Sequence, residues 1–146
     1  MLFSGSTFRS LDSKGRLMLP PDFREALAAL DSENEIFLTR YYERVRAYPV
    51  PVWQEIHAKL VTQEYSSEAL LNFSLMLTGY AKKLPIDNQG RVNIPQTHIR
   101  FADLTHEIIV VGLGKRFEIW NEARFERVMN QIGDVSRELE TRNISL

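Results

Sequence analysis

The chain has 146 residues, 44% hydrophobic and 25% charged, with a formal net charge of -1 and no cysteine. That length can enclose a core, and the composition is that of a soluble globular domain in a reducing, cytosolic compartment, without disulfides, thiol nucleophiles or thiolate metal sites. Overall charge gives no basic signature, so any affinity for nucleic acid must rest on local patches.

The opening "MLFSGSTFRS" lacks a basic start followed by an apolar run, and no stretch nears the roughly 18 apolar residues of a spanning helix. No export and no membrane insertion is expected. Next comes "LDSKGRLMLP" (Leu11–Pro20), which returns as "IDNQGRVNIP" (Ile86–Pro95). At an offset of 75, Asp12, Gly15, Arg16, Leu17, Leu19 and Pro20 match Asp87, Gly90, Arg91, Val92, Ile94 and Pro95. Alternation of Leu17 with Leu19, and of Val92 with Ile94, predicts strands with one buried face. In "DSKG" and "DNQG" the aspartate can accept from backbone amides ahead of it and the glycine supplies positive φ, so each phrase reads as strand, turn, strand with a hairpin tip. Pro20 and Pro95 end the strand, and "PPDFREALAAL" then spaces Phe23, Leu27 and Leu30 as a short helix does.

"EIFLTRYYERVRAYPV" and "EIIVVGLGKRFEIW" each predict a second hairpin, with Gly112 and Gly114 marking the later turn. Here the offset is 72: Ile36, Leu38, Arg44, Val45 and Tyr48 match Ile108, Val110, Arg116, Phe117 and Trp120. Amphipathic helices close both copies, through Trp53, Ile56 and Leu60 after Pro51, and through Phe125, Val128 and Ile132 after Asn121, a good N-cap. Between the copies, "SSEALLNFSLMLTGYAKK" sets Leu70, Leu71, Phe73, Leu75, Leu77 and Tyr80 around much of a helix, which predicts packing on several elements or on another subunit. The polar tail "GDVSRELETRNISL" reads as a short fraying helix. The expected architecture is α+β and pseudo-twofold symmetric, with a first half-domain over 1–63, a connecting helix over 64–82 and a second half-domain over 83–146, equivalent strands pairing or interleaving across the axis.

Charge is unevenly spread. Residues 1–24 carry four basic against two acidic side chains, residues 80–100 four against one, and the rest of the chain is acidic. Arginine on a projecting tip can fork onto a guanine edge or clamp a phosphate, whereas lysine chiefly neutralises phosphate. Arg16 and Arg91 are therefore the candidate contacts, with Lys14 adding backbone affinity. Asp12 and Asp87, being acceptors only, would fix the turn and orient the arginines, with Gly15 and Gly90 as the other structural residues of the motif. The plain alternative is that each Asp–Arg pair merely braces a turn. Arg9, Arg24, Lys82, Lys83 and Arg100 read as ordinary surface charges.

The opening Met-Leu-Phe-x-Gly, "LDSKGR", the second "DNQGR" after the long helix, and the late "FEIW" together resemble the MraZ family of bacterial transcriptional regulators across essentially the whole chain. The resemblance implies an AbrB-like swapped-hairpin β-barrel built from two tandem half-domains, with peripheral helices. It implies a homo-oligomer, a ring, that binds double-stranded DNA at short direct repeats in the promoter of the division and cell-wall gene cluster containing its own gene, chiefly as a repressor. The family's DNA-contacting Asp-x-x-x-Arg signature falls on Asp12 to Arg16 and on Asp87 to Arg91. The second tip departs from the first, with Gln89 in the place of Lys14. A cytoplasmic, nucleoid-associated protein without cofactor, metal, membrane or small-molecule substrate is expected.

An enzymatic reading finds little. "GLGK" at 112–115 lacks the rest of a phosphate loop, and His57, His98 and His106 have no ligand spacing and read as surface or partly buried residues. The repeated aspartates sit at turn positions, which favours structure over acid–base chemistry. The rival reading is a protein-interaction or antitoxin-like assembly module, for which the short tail offers little wrapping segment.

Overall fold

A computed structural model describes residues 2–64 and 67–146. Met1 of the opening motif and Ser66 at the start of the central segment lie outside the described residues. The first copy supplies β1 (Ser6–Ser10), β2 (Arg16–Met18), α1 (Pro21–Ala29), β3 (Glu35–Tyr41), β4 (Arg44–Pro49) and α2 (Val50–Val61). After α3 (Glu68–Gly79) the second supplies β5 (Lys82–Pro85), β6 (Arg91–Asn93), α4 (Gln96–Phe101), β7 (Glu107–Leu113), β8 (Arg116–Asn121) and α5 (Glu122–Met129), and α6 (Ser136–Thr141) follows. The fold is α+β, as expected.

The copies are interleaved. One antiparallel sheet has the strand order β1-β7-β8-β4-β3-β5, so the first strand of each copy pairs with the hairpin of the other. A separate two-stranded ribbon pairs β2 with β6, Leu17 facing Val92 at its centre. The phrase "LDSKGRLMLP" is thus not a self-contained hairpin. Its turn is present, with Asp12 N–H donating to the Arg16 carbonyl at 3.2 Å and Gly15 N–H to the Asp12 carbonyl at 3.0 Å, but β1 and β2 leave that turn for different sheets. A half of this size buries comparatively little surface alone, and exchanging strands lets each half cover apolar strand faces of the other.

The inner face of the sheet and the ribbon enclose one core, with Leu17, Leu19, Val92 and Ile94 meeting Ile36, Leu38, Ile108 and Val110. Phe3, Phe23 and Phe117 pack as a ring triad with centroids 5.1–5.2 Å apart. Gly112, expected at a turn, instead lies within β7, where a Cβ would collide with the backbone of Phe3 and Ser4. Its N–H donates to the Gly5 carbonyl at 2.8 Å, so this glycine admits the N-terminal segment to the edge of the sheet. Gly114, with φ of 77°, makes the turn as expected.

On the outer face, α2 and α3 cover β3 and β4 through Trp53, Tyr48, Phe37, Phe73 and Leu77. The Thr39 hydroxyl donates to the Leu77 carbonyl and ties α3 down. The far side of α3 leaves Leu70, Leu71 and Leu75 exposed. Asn121 caps α5 as expected, its Oδ1 accepting from Arg124 N–H at 3.0 Å, yet Val128, Met129 and Ile132 remain exposed. Where the halves meet in the sheet, Arg46 on β4 faces Glu118 on β8. These are equivalent positions of the two copies, and the Glu118 carboxylate accepts from Arg46 Nε at 2.8 Å and from Trp120 Nε1 at 3.0 Å. Burial raises the Glu118 carboxyl, but the hydrogen bonds and charge of Arg46 prevail and hold it below its usual range.

One histidine departs from expectation. His98 is 1% exposed at the position equivalent to Phe23, with Nε2 placed 2.8 Å from the Tyr80 carbonyl and Nδ1 3.1 Å from the Thr97 hydroxyl. Nε2 therefore carries the proton and donates, and burial pushes the imidazole below its ordinary value, so it stays neutral as a hydrogen-bonded core residue.

Candidate nucleic-acid interface

In each repeated phrase one aspartate organises five residues of chain. Asp12 Oδ1 accepts the N–H groups of Lys14 and Arg16, both at 2.9 Å, and Oδ2 accepts from Arg16 Nε at 2.6 Å. The second tip repeats the pattern: Asp87 Oδ1 accepts from the N–H groups of Gln89 and Arg91 at 2.9 Å, and Oδ2 from Arg91 Nε at 2.8 Å. Gly15 and Gly90 close the turns at φ of 77° and 81°, where a side chain would be strained. The Arg16 backbone amide is the largest influence holding the Asp12 carboxyl down, at about 2, and Arg91's amide acts in the same way on Asp87. Such a carboxylate stays ionised across the physiological range.

Both readings of the Asp–Arg pair meet in this geometry. The carboxylate braces the turn, and it also grips the arginine by Nε alone; among the described residues neither Nη of Arg16 or Arg91 makes a hydrogen bond. An arginine held at Nε has its terminal fork aimed and still free to donate.

The ribbon brings the two arginines together. Its pairing sets Arg16 opposite Asn93 and Met18 opposite Arg91, around the central Leu17 and Val92. Since Leu17 and Val92 point into the core, the pleat turns Arg16, Met18, Arg91 and Asn93 to the outer face. Arg16 and Arg91 are diagonal neighbours there, with a spacing of roughly 7–8 Å for such pairs. Lys14 and Gln89 are exposed on the flanking turns. The tips are also stitched to the opposite copy: Leu19 N–H donates to the Gly90 carbonyl at 3.0 Å and Ile94 N–H to the Gly15 carbonyl at 2.9 Å.

Of the other cations, Arg9 donates from Nε to the Met18 carbonyl at 3.1 Å, tying β1 to β2. Lys83 pairs with Glu35 at 3.8 Å, and Lys82 and Arg100 are exposed. Sequence reasoning found the tips and expected equivalent strands to pair or interleave, as β2 and β6 do, but missed that this pairing puts Arg16 and Arg91 on one ribbon face. The only local signal was the shared alternation after each Gly-Arg; the partner of each strand is 75 residues away.

A family model described as "MraZ protein, putative antitoxin-like" matches residues 2–72 and again 76–145. A protein of Nitratidesulfovibrio vulgaris strain Miyazaki F named transcriptional regulator MraZ is 40% identical over 147 residues, covering 100% of this chain and 99% of the relative. Proteins of the same name from Oleidesulfovibrio alaskensis and Thiobacillus denitrificans are 39% and 33% identical, covering 95% and 94% of this chain and 94% and 93% of theirs. No helix among the described residues is long and apolar enough to cross a membrane. With two tandem matches and relatives of this identity, the chain belongs to the MraZ family of transcriptional regulators, which are not enzymes.

Proposed function

We propose, from that membership and the geometry of the ribbon, that the chain binds double-stranded DNA in a sequence-specific manner by laying the β2–β6 ribbon into the major groove. The observation that carries this reading is the outer ribbon face, where Arg16 and Arg91 stand as diagonal neighbours with their terminal forks free. The major groove of B-DNA is about 12 Å wide and admits a two-stranded ribbon. Each fork can donate two parallel hydrogen bonds to the O6 and N7 edge of a guanine, worth about 1–3 kcal/mol of discrimination, while Lys14 neutralises phosphate beside the first tip. Asp12 and Asp87 act as positioning residues. Met18 and Asn93 share the face, one suited to apolar contact with a thymine methyl and the other to donor–acceptor contact with a base edge.

The finer reading follows the family resemblance. The protein acts at short direct repeats in the promoter of the division and cell-wall gene cluster that includes its own gene, chiefly as a repressor and on the nucleoid. A formal net charge of -1 argues for weak binding at a single repeat. A homo-oligomeric ring meets this difficulty, because linked copies engage successive repeats at high effective concentration. The exposed leucines of α3 supply apolar surface that such an assembly would cover.

The test is fluorescence anisotropy on promoter DNA from upstream of its own gene, for wild type, Arg16→Ala and Arg91→Ala across a salt series. The expected wild-type slope of log affinity against log salt is about -0.9 per neutralised phosphate, with each arginine change weakening specific binding roughly tenfold or more. Equal behaviour of all three proteins, or wild-type binding no tighter than to random DNA, would leave the tips as structural braces and favour a protein-interaction module.

A further inference from the structure

The two tips rest on equivalent helix positions of the opposite copies, and those positions differ in charge. A Cβ placed on Gly15 would lie 3.0 Å from the end of the Ile99 side chain in α4. One placed on Gly90 would lie 2.6–2.7 Å from Nε, Cδ and Cζ of Arg24 in α1. At the offset of 75 that relates the tips, position 24 corresponds to position 99. The first tip is therefore backed by an isoleucine, and the second by a guanidinium delivered from the other half of the chain.

The tips themselves differ in the complementary sense. Lys14 on the first is replaced by Gln89 on the second. Counting the backing residue, each tip holds two cations: Lys14 with Arg16, and Arg24 with Arg91. Arg24 is exposed, and its side chain makes no ion pair or hydrogen bond among the described residues, although its backbone N–H donates to the Pro20 carbonyl at 3.1 Å. Glu25, Glu33 and Asp87 line the same groove, yet none is within ion-pair distance of it, and Asp87 is already engaged with Arg91 and the turn amides. Glycine at position 90 leaves room for the close approach of tip and arginine, since a Cβ there would require the guanidinium to move aside.

We propose that Arg24 is the phosphate-contacting cation of the second tip, performing from the opposite half the task that Lys14 performs within the first. This inference rests on the DNA-binding reading and adds to it a residue outside the repeated motif. The Arg24 side chain runs against the backbone of Gly90, adjacent in sequence to Arg91 but outside the ribbon face that presents it, so its contribution is to backbone affinity and not to sequence choice.

The experiment measures binding to the same promoter DNA over a salt series for wild type, Arg91→Ala, Arg24→Ala, Arg24→Ala/Gln89→Lys and Lys59→Ala. Lys59 lies on α2, paired with Glu55 at 3.6 Å, so its loss changes net charge equally but elsewhere. Arg24→Ala is expected to weaken specific and random DNA alike, by roughly five- to tenfold at moderate salt, and to lower the salt slope by about 0.9. Restoring a lysine at position 89 should recover most of that loss, which a purely structural role of Arg24 would not allow. Arg24→Ala behaving like Lys59→Ala, while Arg91→Ala still weakens specific binding roughly tenfold or more, would overturn this proposal and leave the DNA reading standing. Wild type failing to bind would overturn both, and Arg91→Ala binding like wild type would remove the second tip from the interface and overturn this proposal. Thermal melts in parallel identify any loss caused by misfolding, and a Gln89→Lys addition that fails to rescue a folded Arg24→Ala counts against the proposal.

Discussion

Replacing Glu118 by alanine tests whether the junction between the halves depends on one ion pair. The Glu118 side chain is 8% exposed and that of Arg46 9%, and they meet at 2.7 Å through Nη2 and 2.8 Å through Nε. Arg44 adds an ion pair at 3.1 Å without hydrogen-bond alignment. Removing the carboxylate strands a buried guanidinium, for which about 3–5 kcal/mol is the usual cost. For a chain of this length that corresponds to a fall of about 10–15 °C in Tm. Urea unfolding at fixed protomer concentration reads the loss directly. The exchange Arg46→Glu/Glu118→Arg carries the sharper expectation, because the two positions are equivalent across the pseudo-axis. Arg116 corresponds to Arg44, and its Nε is buried without a hydrogen-bond partner among the described residues. In the exchanged protein Arg116 would approach the new glutamate as Arg44 approaches Glu118 now, so at least half of the loss in Glu118→Arg alone should be recovered. A stable Glu118→Ala protein, within about 1 kcal/mol of wild type, or an exchange no better than Glu118→Arg, would refute the pairing as the determinant of this junction.

Two further outcomes are expected. Gly112→Ala should destabilise by about 2 kcal/mol or more, since the new methyl meets main chain rather than a movable side chain; an unchanged urea midpoint would show that the N-terminal segment does not sit on β7 as described. The Asp12 carboxyl, followed by NMR, should titrate near 2 rather than 3.8. Because its folded value is depressed, its contribution to stability is complete above about 4 and is lost as pH falls towards 2. In Arg16→Ala the midpoint should rise only partly, since the largest influence is the backbone amide of residue 16, which alanine retains; a full return to 3.8 would contradict that ordering.

Much of this arrangement is legible along the chain because its causes are local. The turn at Asp12–Gly15 needs an acceptor at its first position and a glycine at its last, and the sequence has both; Pro20 and Pro95 end strands and open helices for reasons internal to proline. What escapes a linear reading depends on partners far away. Alternation reveals that Leu17 is buried but not that it faces Val92, so a shared ribbon read as two hairpins. Gly112 and Gly114 look alike in "GLGK", yet only Gly114 needs positive φ, and Gly112 answers to the backbone of Phe3 and Ser4. The burial of His98 shows in the sequence only through the repeat, which sets it in the place of Phe23, and its partner, the Tyr80 carbonyl, is brought near by the fold.

Joining two copies in one chain has a consequence that two identical subunits could not reach. On the axis of a symmetric dimer every residue faces itself, and a charge at position 46 or 118 would oppose its own kind across the β4–β8 pair. Here the axis is only approximate, so one copy places arginine there and the other glutamate, and repulsion becomes the buried pair at the centre of the sheet. The same freedom operates at the ribbon. Ile99 and Arg24 have diverged beneath the two tips, and Lys14 and Gln89 have diverged upon them, in opposite senses. If cationic charge beside each arginine is what DNA requires, a loss on one tip is neutral wherever the opposite helix supplies the replacement. The pair of substitutions at 24 and 89 therefore constrains function more closely than either position alone, and neither can be interpreted from the copy in which it occurs.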